Sequence, residues 1–294
     1  CECGRRAVPA SDERARAMTS VTALDLDRGD LCRPPEADVV RLDFFNASML
    51  YNNLGGLGPD NQTLPGIRYA GVGISGNTSI DLIVTNTSSY IAGNELSNGN
   101  EGSFGQVNLA GPDEGSEERS VRLKFQFVEG DTTTPMVLPL FEMSFFDLDR
   151  AGDDAVVKGV ECVSVDHDTW ISYALNNRVV KADGQSSIIR DQPESEVVVT
   201  TSSADTRFCA SEPGGGADNP SDPGSLQTSQ KQRSVELKYA ERSEIEITLS
   251  IFTCCSAPRN LVFAGRSNVV EDCELPPSAP PLPPSPPVPP PPSP

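Results

Sequence analysis

From Glu244 to Ile251 the chain reads Glu-Ile-Glu-Ile-Thr-Leu-Ser-Ile, which places Ile245, Ile247, Leu249 and Ile251 on every second position. A period of two marks a strand with one face in a core and the other in water. The alternation recurs in Val40-Arg-Leu-Asp-Phe44, in Val121 to Phe127 (VRLKFQF) and in Val235-Glu-Leu-Lys-Tyr239. Apolar or β-branched runs add strand candidates at 67–72, 80–85, 104–109, 136–146, 156–165, 178–181, 196–200 and 260–264. Turn-rich stretches separate them: Asn53 to Asp60, Ser97 to Asn100, Gly111 to Glu118 and Pro213 to Pro223. Half-apolar strands must lay their faces on a second sheet, and no long amphipathic helix interleaves them as βαβ units would require. The expectation is an all-β fold, a jelly-roll-like β-sandwich.

Three regions follow. Residues 1–34 are polar and irregular, with a short helix over Ser11 to Met18 capped by Ser11. Residues 35–272 form the sandwich. The loop around 211–230 is a possible boundary, but the strands after it are too few for a core of their own. Residues 273–294 are a stalk: 13 of the 26 prolines lie in the 19 positions from Pro276 to Pro294. Proline removes the N–H that helix and sheet need, so this tail is expected as polyproline II, roughly 60 Å long if straight. Its SPP and PPSP units resemble the hydroxyproline-rich glycoproteins of plant and green-algal matrix, pherophorins and extensins among them, which implies hydroxylated, O-glycosylated prolines. An SH3 or WW ligand is the cytosolic alternative.

Two signals point to the secretory pathway. The eight cysteines (Cys1, Cys3, Cys32, Cys162, Cys209, Cys254, Cys255, Cys273) lack the paired spacing of a zinc site, and the single His167 stands apart. Disulfides fit them better, although eight cysteines allow about 105 pairings. Asn46-Ala-Ser, Asn61-Gln-Thr, Asn77-Thr-Ser and Asn86-Thr-Ser are glycosylation sequons, whereas Asn219-Pro-Ser is blocked by its proline. The formal net charge of −19 argues against nucleic-acid and membrane-surface partners. The apolar runs are strand-sized, so no direct membrane insertion is expected. The chain opens at Cys1 rather than a methionine, as a processed product or excised fragment would.

Candidate chemistry is sparse. Asp147, Asp149, Asp153, Asp154 and Glu161 cluster after a strand, and two or three convergent carboxylates can hold a structural Ca²⁺ in an extracellular module. The spacing is not that of an EF-hand, and a solvated acidic turn is the alternative. Asp218 to Asp222 reads better as a self-capping turn than as a ligand set. Asp166-His167-Asp168 has no marked nucleophile for a triad, and Trp170 and Tyr173 read as core aromatics before a sugar platform. Gly71-Val-Gly-Ile-Ser-Gly76 matches a dinucleotide fingerprint but leads into a strand instead of a helix. Glu244 and Glu246 share a strand face as glycosidase carboxylates can, yet they alternate with isoleucines as a water-facing side does.

Five stretches together resemble a β-rich module of large secreted or surface proteins of algae and other protists. They are Leu42-Asp-Phe44 with Asn53-Leu-Gly-Gly-Leu-Gly-Pro-Asp60, Ile67-Arg-Tyr-Ala-Gly-Val-Gly73, Phe104-Gly-Gln-Val-Asn-Leu109, Phe145-Phe-Asp-Leu-Asp149, and Asp218-Asn-Pro-Ser-Asp-Pro223 with Arg259-Asn-Leu-Val-Phe-Ala-Gly265. The resemblance spans residues 38–266 and implies compartment and fold, without an activity. The sequence therefore leads to an expectation of a non-catalytic extracellular or cell-surface glycoprotein module. Its role would be structural or adhesive, with extracellular glycans or matrix glycoproteins as partners and no organic cofactor. A carbohydrate-active enzyme on the same fold and a filament or matrix subunit are the alternatives.

Overall fold

The structure is a computed structural model that describes residues 39–151, 159–188, 192–215, 219–253 and 257–270. The irregular N-terminal segment, the proline tail, Asp153, Asp154, Cys1, Cys3, Cys32, Cys254, Cys255 and Cys273 lie outside the described residues.

In chain order the strands are β1 (Val39–Val40), β2 (Ser48–Asn53), β3 (Gly66–Ser75), β4 (Thr78–Asn86), β5 (Gly99–Glu101) and β6 (Phe104–Leu109). Next come β7 (Glu118–Glu129), β8 (Leu138–Phe146), β9 (Val160–Asp166), β10 (Ser172–Leu175), β11 (Arg178–Lys181) and β12 (Ser186–Ile188). The last are β13 (Val197–Thr201), β14 (Asp205–Ala210), β15 (Val235–Arg242), β16 (Glu244–Phe252) and β17 (Arg259–Ala264). One short helix, α1 (Thr228–Gln232), precedes β15.

Two sheets face each other. Sheet A runs β12-β11-β10-β15-β8-β17-β6-β5, with β1 added parallel to β8; sheet B runs β13-β14-β9-β16-β7-β4-β3-β2. Successive strands from β6 to β9 alternate between the sheets, as do β14 to β17. The antiparallel pairs β6·β17, β7·β16, β8·β15 and β9·β14 nest inside one another. That nesting, with spatial orders 6-17-8-15 and 7-16-9-14, is a jelly roll. The hairpins β10–β12 and β2–β4 widen it at the two sides.

The cleanest alternation in the sequence becomes the middle of sheet B. Ile245, Ile247, Leu249 and Ile251 face the core, and each is at most 3% exposed, worth about 1.5–3 kcal/mol apiece. Aromatic edges fill the space between the sheets: Phe125 lies 5.0 Å from Phe263, and Phe44 packs edge-on against both Tyr69 and Phe263. Edge-to-face contact is the arrangement that ring quadrupoles favour.

The two outer faces differ. On sheet A, Glu142, Ser144 and Glu236 point away from the core yet are buried, because residues 219–234 and 265–270 fold over them. Leu226 N donates to Asn268 Oδ1 at 2.9 Å, and Glu236 accepts from Ser267 N and Oγ at 3.0 and 2.9 Å. On sheet B the outer face carries the water-facing residues of β7, β16, β9 and β14. Its edge at β2 is blunted: Asp60 takes the Asn52 N–H with its side chain at 2.7 Å and returns its own N–H to the Asn52 carbonyl at 3.0 Å. A bulge between Met49 and Tyr51 twists the same strand, and both devices discourage edge-to-edge pairing.

Candidate functional site

Strand parity decides which side chains reach the outer face of sheet B. On β16 the isoleucines take the core, so Glu244, Glu246, Thr248, Ser250 and Phe252 face out. On β14, Thr206, Phe208 and Ala210 are buried, so Asp205, Arg207 and Cys209 face out. On β9, Val163 and Val165 enter the core and leave Val160, Cys162, Ser164 and Asp166 outside.

Charge pairs tile the middle of this face. Arg122 reaches both Asp166 and Glu246 at 2.7 Å, and Lys124 lies 3.7 Å from Glu244. Exposed pairs of this kind contribute about 0–1 kcal/mol each, so they set the character of the surface more than its stability. Glu244 and Glu246 are thus partners of cations on β7, as their alternation with isoleucines implies.

At the β14 end the face sinks into a depression of about 370 Å³. Its floor is the disulfide Cys162–Cys209, which joins residues directly opposite each other on β9 and β14. Val160 and Phe252 make the walls, and Thr200, Asp205 and Arg207 make the rim. The Arg207 guanidinium sits 5.2 Å above the centre of the Phe252 ring, close enough for a cation–π contact. Asp205 is its ion-pair neighbour at 3.7 Å, beyond hydrogen-bond range. Among the described residues the Arg207 side chain makes no hydrogen bond. Arg68, Arg122, Arg150 and Arg233 each make at least two.

Of the acids expected to gather around a cation, Asp147 and Asp149 follow β8 and Glu161 lies near the start of β9; Asp153 and Asp154 lie outside the described residues. Arg233 binds Asp149 at 3.1 Å, Glu196 at 2.7 Å and the Pro213 carbonyl at 2.8 Å. Gly214 packs so tightly on the Asp149 carboxylate that any side chain there would collide with it. Glu161 shares the core side of β9 with Val163, is 4% exposed, and has Arg259 at 3.3 Å. Burial pushes the Glu161 carboxyl well above the usual range; Arg259 opposes that shift, while Asp147 and Asp149 add to it. Arg259 Nε is not aligned for a hydrogen bond, which explains why desolvation wins. Among the described residues no group of three or more His, Cys, Asp or Glu side chains is placed to hold a metal ion.

The other candidates resolve simply. Trp170 and Tyr173 are buried and stack edge-on toward Phe208, so they belong to the core. His167 meets the exposed Asp168 at 3.0 Å on the β9–β10 loop. Gly71 and Gly76 lie on and just after β3, with Gly76 at φ 61° in the β3–β4 turn. Asn46, Asn61 and Asn77 are exposed and Asn86 is half-buried. All four sit on or around β2, β3 and β4, with Asn86 at the border of β7 and none on β16, β9 or β14.

Arg207 and Phe252 escaped the sequence reading. They lie 45 positions apart and meet only because β14 and β16 flank β9 on its two sides. The available signal was parity: both occupy water-facing positions on strands whose other face is apolar.

No family model and no curated protein matches the chain. Among solved structures, the N-terminal domain of the Streptococcus gordonii adhesin Sgo0707 is similar at 10% identity with a TM-score of 0.41, over 78% of this chain. The match covers 62% of that domain, less than two thirds of its length.

Proposed function

We propose that the chain is a non-catalytic adhesive module of an extracellular or cell-surface glycoprotein, and that it meets its partner through the outer face of sheet B. The observation that carries this reading is the placement of the four sequons. They ring the β2–β4 side of the sheet, and the open face formed by β7, β16, β9 and β14 has none. Asn86 borders β7 across from Leu123, so glycans on all four would leave the β16, β9 and β14 part of that face bare. Sheet A offers no equivalent, because its own chain covers the middle of its outer face. The Cys162–Cys209 disulfide and the sequons both suit an oxidising, secretory route. Extracellular glycans or matrix glycoproteins are the partners this surface fits.

The glycosidase alternative needs two carboxyls across a cleft. The depression has one, Asp205, and Glu161 faces the core. A structural calcium ion at the acids of the 147–161 segment remains part of the proposal, with arginines beside Asp149 and Glu161 sharing the charge. An unfolding midpoint that drops on adding chelator would support it, and an unchanged midpoint would discard it.

The experiment is an array of extracellular glycans and matrix glycoproteins, washed and then assayed for released reducing ends. The expected result is retention without release. Release of sugar would replace this reading with the enzymatic one.

A further inference from the structure

We infer that the depression on sheet B is a subsite for the carboxylate of an acidic saccharide, with Arg207 as the group that recognises it. The inference rests on the reading of this face as the binding face and names what the face would take.

Arg207 carries five N–H donors in a planar fork suited to a carboxylate; Asp205 stands 3.7 Å away, and no described residue takes a hydrogen bond from them. The side chain also has a packing partner: its guanidinium lies over Phe252, which reduces the rotamer freedom lost on binding. Directly opposite Arg207 in the register, Ser164 is 6% exposed, and its Oγ has no hydrogen-bond partner among the described residues. The Arg207 side chain is 39% exposed, so a ligand reaches its donors by displacing water; Ser164 is its register neighbour but does not line the depression.

The rest of the lining selects a sugar over a bare anion. Asp205 repels a second negative charge but accepts hydrogen bonds from hydroxyl groups. Thr200 adds a hydroxyl that can donate or accept. The disulfide, Val160 and the half-buried Phe252 give an apolar wall that suits the C–H face of a pyranose ring. A volume of about 370 Å³ falls at the low end of small-molecule sites, enough for one or two rings. The net charge of −19 opposes an acidic ligand at long range, and salt screens that repulsion beyond about 8 Å at physiological ionic strength. Recognition thus depends on the local contact with Arg207.

The test is calorimetric titration at physiological ionic strength with glucuronate and galacturonate oligomers, against glucose and galactose oligomers of equal length. The uronates should bind at least about ten-fold more tightly, the scale of one charge-assisted fork. Arg207→Gln should abolish that preference, Arg207→Lys should keep part of it, and Arg122→Gln on the same face should leave it intact. An unchanged thermal midpoint shows that the Arg207→Gln chain is folded. Equal affinity for acidic and neutral oligomers, or an unaffected Arg207→Gln variant, overturns the inference while array retention keeps the adhesive reading. Absence of retention on every glycan and matrix protein overturns both.

Discussion

Glu161 and Asp81 show how differently two buried carboxylates can be treated. Asp81 accepts two hydrogen bonds from Arg68, at 3.0 and 2.6 Å, and one each from the backbone N–H groups of Gly71 and Asp131. Asp81→Ala leaves the buried Arg68 without its counter-ion, and the expected cost is about 3–5 kcal/mol in denaturant unfolding. Glu161 has the misaligned Arg259 and a hydrogen bond from the Asp149 backbone, too little to offset its burial, which raises its pKa above the ordinary 4.5. A carboxyl whose folded pKa is raised binds its proton more tightly in the folded state. Its contribution is complete below the unfolded value and is lost as pH rises through the folded one. Stability should therefore decline from mildly acid toward neutral pH through this group. Glu161→Gln, which copies the protonated form, should flatten that slope when denaturant midpoints are compared at about pH 4 and about pH 7. A slope identical to the wild type would show that Glu161 titrates as an ordinary surface acid.

At the scale of elements, β13 and β14 form the outermost hairpin of sheet B, and the disulfide ties it to β9. The bridge closes a sequence separation of 47 residues, for which the expected stabilisation is about 2–4 kcal/mol. Replacing both Cys162 and Cys209 with Ala should lower the unfolding free energy by that amount. It should also speed amide exchange first in Val197–Ala210, before β7 or β16 respond. Uniform loss across the sandwich would contradict this local role. The strands that the sequence displays most clearly are those in which apolar and polar residues alternate, β7, β15 and β16. Those it hides are of another kind. β2 inverts the rule, since Met49 and Leu50 are exposed while Asn52 and Asn53 are buried, their amides bonded to backbone carbonyls and to Gly58 N. β5, β10 and β12 are only three or four residues long, too short for a period to register. β14 does alternate, but its water-facing side mixes Asp205, Arg207 and Cys209, and its apolar side begins with Thr206.

At the scale of the whole molecule, the centre of the sandwich is a hairpin of eight strands, β6–β9 and β14–β17, rolled into two sheets, so its pairings join distant parts of the chain. Val107 on β6 lies opposite Leu261 on β17, and β17 fills the gap between β6 and β8. A chain ending before Arg259 would lose the strand that unites sheet A, and it should fail to show cooperative thermal unfolding. The jelly-roll architecture was legible because alternation and turn spacing are local properties. The candidate site was not, because it depends on which strands become neighbours and on which outer face stays uncovered. The acidic run from Asp147 to Glu161 drew attention in the sequence by its density. In the fold, Asp149 and Glu161 lie beside arginines brought from β17 and from the segment before β15.

The central claim is that the open face of sheet B makes the contact. Glu246→Asn creates an N-I-T sequon over positions 246–248, in the middle of β16, and costs only an exposed ion pair with Arg122. Secreted from a eukaryotic host, with the new glycan verified by mass, this variant should lose retention on the glycan and matrix-glycoprotein array. The chain with Asn46, Asn61, Asn77 and Asn86 all changed to Gln should keep it. Full retention with the β16 glycan in place would contradict the account.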